Sequence, residues 1–191
     1  ATPEQVKKIF RDFRCIIIGK RFRLVHLYYF RDDPIEISTF RKCPDEAGTP
    51  ERPLRTGVAP EHMIFQDNEY GSVQEDAWRR DFTVNAMAYH PGEGYVDPFG
   101  GQTDLAAGVL RAVGDPLQRF SEDALRILRG LRFSAVLGFM IDPETSESIH
   151  RNRYLLNEIA AERIQIELMK LLCGPFAPRV LREYPDVIGV F

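Results

Sequence analysis

One acidic and three basic side chains recur at every third position in the stretch R-F-S-E-D-A-L-R-I-L-R-G-L-R-F: Asp123, Arg126, Arg129 and Arg132. On a helix this spacing forms a slanted ridge, because three residues fall about 60° short of a full turn. A guanidinium carries five fixed donors and no acceptor, which suits phosphate oxygens or the edge of a nucleobase. The ridge therefore has two interpretations, a solvated helix face with Asp–Arg pairs or a binding site for a nucleotide.

The element that must carry this ridge is predicted as one helix over residues 119–137. Ser121 is a suitable N-cap, and Glu122 falls in the first turn, where the helix dipole favours carboxylates. Gly138 follows the last apolar residue and is a typical helix stop. Every segment after this helix also has a helical pattern, so we expect an all-helical part over residues 115–191. Residues 1–114 are expected to form a mixed α/β part.

The first part is predicted to contain a small sheet with helices, which makes the fold class α+β. Thr2 and Pro3 are expected to begin a helix that ends near residue 13. A capping box, Ser72 to Glu75, is expected to begin a second helix. The alternation and β-branched content predict strands at residues 15–18, 21–30, 35–41, 84–89, 95–97 and 109–113. Residues 42–70 are expected to form a long loop with a short strand at 63–65, and residues 102–106 a short helix.

A carboxylate lies in the middle of one of these short strands, in I-E-I-S-T-F-R. Glu36 is predicted to point to the face opposite Ile35 and Ile37. The commoner explanation is a solvent-facing residue on a one-sided sheet. The functional alternative is a metal or acid–base carboxylate on an open catalytic face.

The bulk composition excludes several classes of protein. No apolar run approaches the roughly 18 residues that span a membrane, and the start is not typical of a signal peptide. Cys15, Cys43 and Cys173 are widely spaced and odd in number, which predicts a reducing compartment, the cytoplasm, without a disulfide framework. The net charge of -3 excludes a globally basic nucleic-acid binder, although residues 11–42 are locally basic.

Three motifs in order resemble one family. R-R-D-F-T-V-N-A-M begins at Arg79, D-P-F-G-G begins at Asp97, and E-D-x-x-R covers Glu122 to Arg126. As a set they are similar to the bacterial class II nucleotidyltransferases, which comprise poly(A) polymerases and CCA-adding tRNA nucleotidyltransferases. The resemblance covers nearly the whole chain. It implies a nucleotidyltransferase head followed by a helical neck that holds the incoming nucleotide.

The resemblance also implies roles for single residues. The residues that would bind the nucleotide are Arg80, Asn85, Glu122, Asp123, Arg126, Arg129 and Arg132. Asp81 would contact the ribose and phosphates and is a catalytic candidate. The junction between head and neck would be formed by Asp97, Gly100 and Gly101. Glu162 and Arg163 look like a further family motif that braces the nucleotide-reading helix.

The implied reaction is attack of an RNA 3′-hydroxyl, from mRNA or tRNA, on the α-phosphate of a nucleoside triphosphate, with pyrophosphate leaving. The substrates would be ATP, or CTP and ATP, with Mg²⁺ as cofactor. The family's metal site depends on a G-G-x-V-R-D segment and a D-x-D pair, and neither occurs in this sequence. Glu36 alone matches the family's third strand carboxylate and is the candidate metal ligand and catalytic residue.

We therefore expect the chain to be a fragment that binds nucleotide weakly and catalyses nothing by itself. Three functions stay open. The first is template-independent addition of AMP to an RNA 3′ end, and the second is CCA addition to tRNA. The third is a non-catalytic module that binds RNA or nucleotide and has lost its metal site. No membrane partner is expected.

Overall fold

The computed structural model describes residues 2–19, 23–30, 33–42 and 70–191. The chain divides into two compact units, and the described residues up to 76 belong to the first and residues 77–191 to the second. The predicted loop over residues 42–70 and its short strand at 63–65 lie almost wholly outside the described residues. The predicted domain boundary at residue 114 stays a prediction.

The first unit contains a helix and a three-stranded antiparallel sheet in the order β1-β2-β3. The elements are α1 (Pro3–Ile9), β1 (Arg14–Ile18), β2 (Leu24–Tyr28) and β3 (Ile35–Ile37). Thr2 and Gln5 form a reciprocal capping box at the start of α1, which confirms the predicted helix start although the helix ends earlier than predicted. The helix packs on β1 and β2. The predicted hairpin of β2 and β3 is confirmed, and its register pairs His26 with Glu36. The strand predicted over residues 35–41 is too long, because β3 ends at Ile37.

The next helix, α2 (Val73–Trp78), begins at the predicted capping box, because Ser72 and Glu75 exchange backbone-to-side-chain hydrogen bonds. The strand predicted over residues 84–89 is wrong in its first half. Residues Thr83–Asn85 form a 3-10 turn, and only β4 (Ala88–His90) is extended. Before residue 84, the backbone pairs with residues 111–113: Thr83 N–H donates to the carbonyl of Arg111, and Val113 N–H donates to the carbonyl of Asp81.

The predicted second hairpin is confirmed by β5 (Gly94–Val96), which pairs antiparallel with β4. The helix α3 (Gly101–Ala107) follows. The strand β6 (Val109–Leu110) is shorter than predicted and pairs in parallel with β7 (Met140–Ile141). Residues 115–191 are otherwise helical. Their helices are α4 (Pro116–Glu122), α5 (Leu125–Leu137), α6 (Pro143–Asn152), α7 (Ala161–Leu172), α8 (Ala177–Glu183) and α9 (Pro185–Ile188).

The single helix predicted over residues 119–137 is wrong. Asp123 has extended backbone angles, φ -152° and ψ 99°, and separates α4 from α5. Asp115 caps α4 with Pro116 at its first position, whereas the Ser121 hydroxyl donates to the carbonyl of Gln118. The predicted stop at Gly138 is confirmed, with φ 76°.

The helix α5 is central to the core of the second unit. It packs against α7, α8 and α4, and Ile127, Leu128 and Leu131 are fully buried. Gly130 lies where a Cβ would come within 3.0 Å of the Phe82 ring, so the buried face of α5 is fitted closely to the segment that follows α2. No helix in the described part of the chain is both long and apolar enough to cross a membrane.

Candidate functional site

A cavity of about 500 Å³ in the second unit is lined by residues from four places in the chain. They are the segment after α2, the break between α4 and α5, one face of α5, and the start of α7. The lining residues are Arg79, Arg80, Asp81, Asn85, Asp123, Leu125, Arg126, Arg129, Phe133 and Arg163. Six of the predicted nucleotide-site residues therefore line one cavity: Arg80, Asp81, Asn85, Asp123, Arg126 and Arg129.

The break at Asp123 positions a carboxylate at the cavity wall. Its Oδ1 accepts a hydrogen bond from Leu125 N–H at 3.2 Å, so the side chain satisfies one of the free donors at the start of α5. Its Oδ2 lies 3.3 Å from Nη2 of Arg163 on α7. Asp123 is thus held from two sides, while a third of the side chain stays open to solvent.

Arg126 is held more tightly than a solvated arginine would be. Its Nη1 donates to Glu122 Oε2 at 2.9 Å and to the carbonyl of Arg119 at 3.1 Å, and its Nη2 donates to the carbonyl of Arg79 at 2.9 Å. The side chain is only 14% exposed. Glu122 does not line the cavity and acts on it through Arg126, and its predicted nucleotide contact stays a prediction.

Asp81 organises the opposite wall. Its Oδ2 accepts from Arg129 Nε at 2.7 Å and lies 2.6 Å from Arg129 Nη2, while Oδ1 accepts from Phe82 N–H and from Asn85 Nδ2. These four contacts explain how an almost fully buried carboxylate is tolerated. They also fix the direction in which Arg129 presents its remaining donors.

An aromatic ring closes one side of the cavity. Phe133 packs edge-to-face on Phe82 with ring centroids 6.0 Å apart, and the guanidinium carbons of Arg129 and Arg132 lie 5.4 Å and 4.2 Å from its centroid. Arginine over an aromatic face is a favourable contact. Phe133 was not among the predicted site residues, because a lone phenylalanine among the apolar residues of a helix gives no signal of a site.

The third arginine of the ridge is directed elsewhere. Arg132 Nε lies 3.0 Å from Oε2 of Glu167 on α7, and both side chains are largely buried. Arg132 is not among the residues that line the cavity. Its predicted part in nucleotide binding stays a prediction.

The predicted junction forms a hydrogen-bonded cap on α3. Asp97 accepts from Gly101 N–H at 2.7 Å and from Gln102 N–H at 2.9 Å. Burial raises the pKa of the Asp97 carboxyl, but the hydrogen bonds from Gln102 and Gly101 outweigh it, and the pKa is lowered below 3.8. Gly100 has φ 72°, and a Cβ at Gly101 would overlap the carbonyl oxygen of Thr83.

Glu36 lies in the first unit, at the centre of β3. Its side chain is 68% exposed, and Oε1 lies 3.2 Å from Nε2 of His26 on the neighbouring strand. Within the described ranges, no three His, Cys, Asp or Glu side chains come together as a metal site. The described residues around Glu36 therefore do not by themselves fit a bound Mg²⁺.

The cavity is suited to a polyanion that also carries a flat polar group. Five arginines and two aspartates line it, so cations outnumber carboxylates. Arginines bind phosphate oxygens by charge-assisted hydrogen bonds. Asp123 and Arg126 add an acceptor and a donor at the start of α5, which together match the hydrogen-bonding edge of a base.

Comparison with protein families gives two matches. Residues 1–111 match the family described as "Poly A polymerase head domain". Residues 138–184 match the family described as "Probable RNA and SrmB-binding site of polymerase A".

Individual relatives come from both branches of the resemblance. Poly(A) polymerase I of Escherichia coli is 44% identical over 173 residues, which cover 90% of this chain and 36% of the relative. The CCA-adding enzyme of Bacillus subtilis is 37% identical over 197 residues, which cover 100% of this chain and 46% of the relative. The solved structure of Bacillus stearothermophilus CCA-adding enzyme in complex with CTP matches with a TM-score of 0.78 at 34% identity, covering 97% of this chain and 41% of that one. The chain spans less than half the length of each.

Proposed function

Because the chain belongs to the poly(A) polymerase head-domain family, we propose that it selects and holds ATP for template-independent addition of AMP to an RNA 3′ end. The observation that carries the proposal is a single cavity in which Asp123 and Arg126 accompany Arg80 and Asp81. An aspartate accepts and an arginine donates, so side chains alone can hydrogen-bond the edge of one base. No nucleic-acid template is needed for such a choice.

The same cavity has the charge for a triphosphate. Arg80 is exposed at its rim, and Arg129 is fixed by Asp81 along its wall. A guanidinium pairs with phosphate oxygens through several parallel hydrogen bonds. We assign the phosphates to these arginines and the base to Asp123 and Arg126.

The nearest alternative is addition of CCA to tRNA. Among relatives matched over at least 90% of the chain, poly(A) polymerase I is 44% identical and the CCA-adding enzyme of Bacillus subtilis 37%, which supports adenylyl transfer. The close structural likeness to a CCA-adding enzyme in complex with CTP favours the alternative. Both functions use an RNA 3′ end and a nucleoside triphosphate.

A cytoplasmic location fits the free thiols of Cys15 and Cys173.

Nucleotide binding to the 191-residue chain tests the site directly. Titration calorimetry with ATP should show a Kd raised about tenfold by Asp123→Ala, which corresponds to roughly 1.4 kcal/mol. Arg80→Gln should weaken binding similarly through the phosphates. The control is Arg151→Gln, because Arg151 forms an exposed ion pair with Glu147 on α6 and does not line the cavity. Equal affinities for all four proteins would contradict the proposal.

The RNA product distinguishes the three functions. The full-length protein that contains this sequence would be incubated with tRNA lacking its terminal CCA, with CTP alone or ATP alone. Extension with ATP alone and none with CTP supports adenylyl transfer. Incorporation of C supports CCA addition and excludes a pure poly(A) polymerase. Nucleotide binding without any incorporation would favour the non-catalytic module.

A further inference from the structure

A buried arginine outside the cavity connects two of the segments that line it. Arg119 lies on α4, and its side chain is 5% exposed. Its Nη1 donates to the carbonyl of Trp78 at 2.7 Å, and its Nη2 donates to Glu122 Oε1 at 2.7 Å. Arg119 is not among the residues that line the cavity.

These contacts are part of a closed ring of hydrogen bonds. Glu122 offers one oxygen to Arg119 and the other to Arg126. Arg126 in turn donates to the carbonyl of Arg79, which is bonded to Trp78 through the chain. The ring thus runs from the Trp78 carbonyl through Arg119, Glu122 and Arg126 back to the Arg79 carbonyl.

The ring determines where the cavity residues stand. It fixes the guanidinium of Arg126 by both of its terminal nitrogens. It also ties the backbone immediately before Arg80 and Asp81 to the last turn of α4, next to the break at Asp123. Hydrogen bonds of charged groups in a largely buried setting are strong, and a site held by them is preorganised for its ligand.

We infer that Arg119 is a positioning residue for nucleotide choice, acting through Glu122 on Arg126. This inference rests on the proposed function. Without Arg119, the Glu122 carboxylate loses one of its two guanidinium partners and the Trp78 carbonyl loses a donor. Arg126 can then follow Glu122 to a new position, and the donor that faces the base moves relative to Asp123. The choice between two bases is lost before the affinity for the phosphates.

The experiment compares Kd for ATP and for CTP by titration calorimetry of the 191-residue chain. The wild type should bind ATP more tightly than CTP. Arg119→Met should reduce the ratio of the two Kd values at least fivefold, and Arg119→Lys should reduce it less, because lysine keeps the charge and reaches one acceptor. The ratio is insensitive to the fraction of protein that is folded, so a loss of stability alone does not change it.

Arg179→Met is the matched control. Arg179, on α8, is also partly buried, and it donates to Ser134 Oγ at 2.9 Å and to the Phe139 carbonyl at 3.0 Å. These acceptors lie at or just beyond the end of α5, whereas Arg126 lies at its start. It should lower stability and leave the Kd ratio unchanged. A ratio unchanged in both Arg119 variants would overturn the inference and leave the proposed function standing. Equal binding of ATP and CTP by the wild type would overturn the inference and also contradict the selection of ATP in the proposed function, whereas a wild type that binds neither nucleotide would contradict nucleotide binding altogether.

Discussion

Replacement of Glu167 by glutamine should lower the free energy of unfolding of the helical part by about 3 kcal/mol. Glu167 Oε2 lies 3.0 Å from Arg132 Nε, and the two side chains are 9% and 15% exposed. Breaking a buried ion pair by removing one charge costs roughly 3–5 kcal/mol, because the other charge stays buried without compensation. Glutamine keeps the volume of the glutamate side chain and leaves no cavity, which places the expected cost at the lower end.

Urea unfolding followed by far-UV circular dichroism measures this effect. For an unfolding slope of roughly 2 kcal/mol/M, the midpoint should fall by about 1.5 M. A double variant, Arg132→Met with Glu167→Leu, should recover most of the loss, since apolar residues often replace a buried pair without cost. A wild-type midpoint for Glu167→Gln, or a double variant as unstable as the single one, would show that the buried pair does not contribute in this way.

The same double variant tests the predicted role of Arg132 in the site. Arg132 lies outside the cavity lining, so ATP affinity should stay within about twofold of the wild type once stability is restored. A tenfold loss of affinity, or roughly 1.4 kcal/mol, would instead support the nucleotide contact that the family resemblance implies.

Two further predictions concern the cap on α3. Gly101→Ala should destabilise the protein by about 3 kcal/mol, because the added Cβ would overlap the Thr83 carbonyl. Gly100→Ala has open space around the added Cβ and should cost only about 1–2 kcal/mol, because its backbone is left-handed. Equal melting temperatures for the two variants would contradict this difference. Asp97→Asn should be less stable than the wild type above the ordinary carboxyl pKa of 3.8, and the difference should shrink as the pH falls through the lower pKa of folded Asp97. A difference that grows on acidification, measured by urea unfolding across this pH range, would reverse that sign.

Several local signals in the sequence predicted correctly where helices begin or end, although the predicted cap at Ser121 does not form. Thr2, Ser72 and Gly138 were expected to begin or end helices, and each does so. The reason is physical, because a cap forms between residues three or four apart and does not depend on the rest of the fold. Both predicted hairpins formed for the same reason, since their turns bring neighbouring strands together.

Tertiary contacts decided the elements that were predicted wrongly. No glycine or proline marks the break at Asp123. Its Oδ1 accepts a hydrogen bond from Leu125 N–H, which is a local contact, but the contact of its Oδ2 with Arg163 on α7 exists only in the folded chain. The strand predicted from residue 84 was displaced in the same way. Asn85 Nδ2 donates to Asp81 Oδ1 and closes a turn over residues 81–85. The backbone of Asp81 and Thr83, before residue 84, pairs instead with that of Arg111 and Val113.

The three arginines of the ridge point in different directions around the axis of α5. Each step of three residues turns the side chain by about 60°, so Arg132 points about 120° away from Arg126 around the axis of α5. The structure gives each arginine a different carboxylate to match: Arg126 pairs with Glu122 and Arg129 with Asp81, both beside the cavity, whereas Arg132 pairs with Glu167 on α7. In this chain, the carboxylate partner of each arginine therefore indicates whether its guanidinium lies at the cavity or against the neighbouring helix α7.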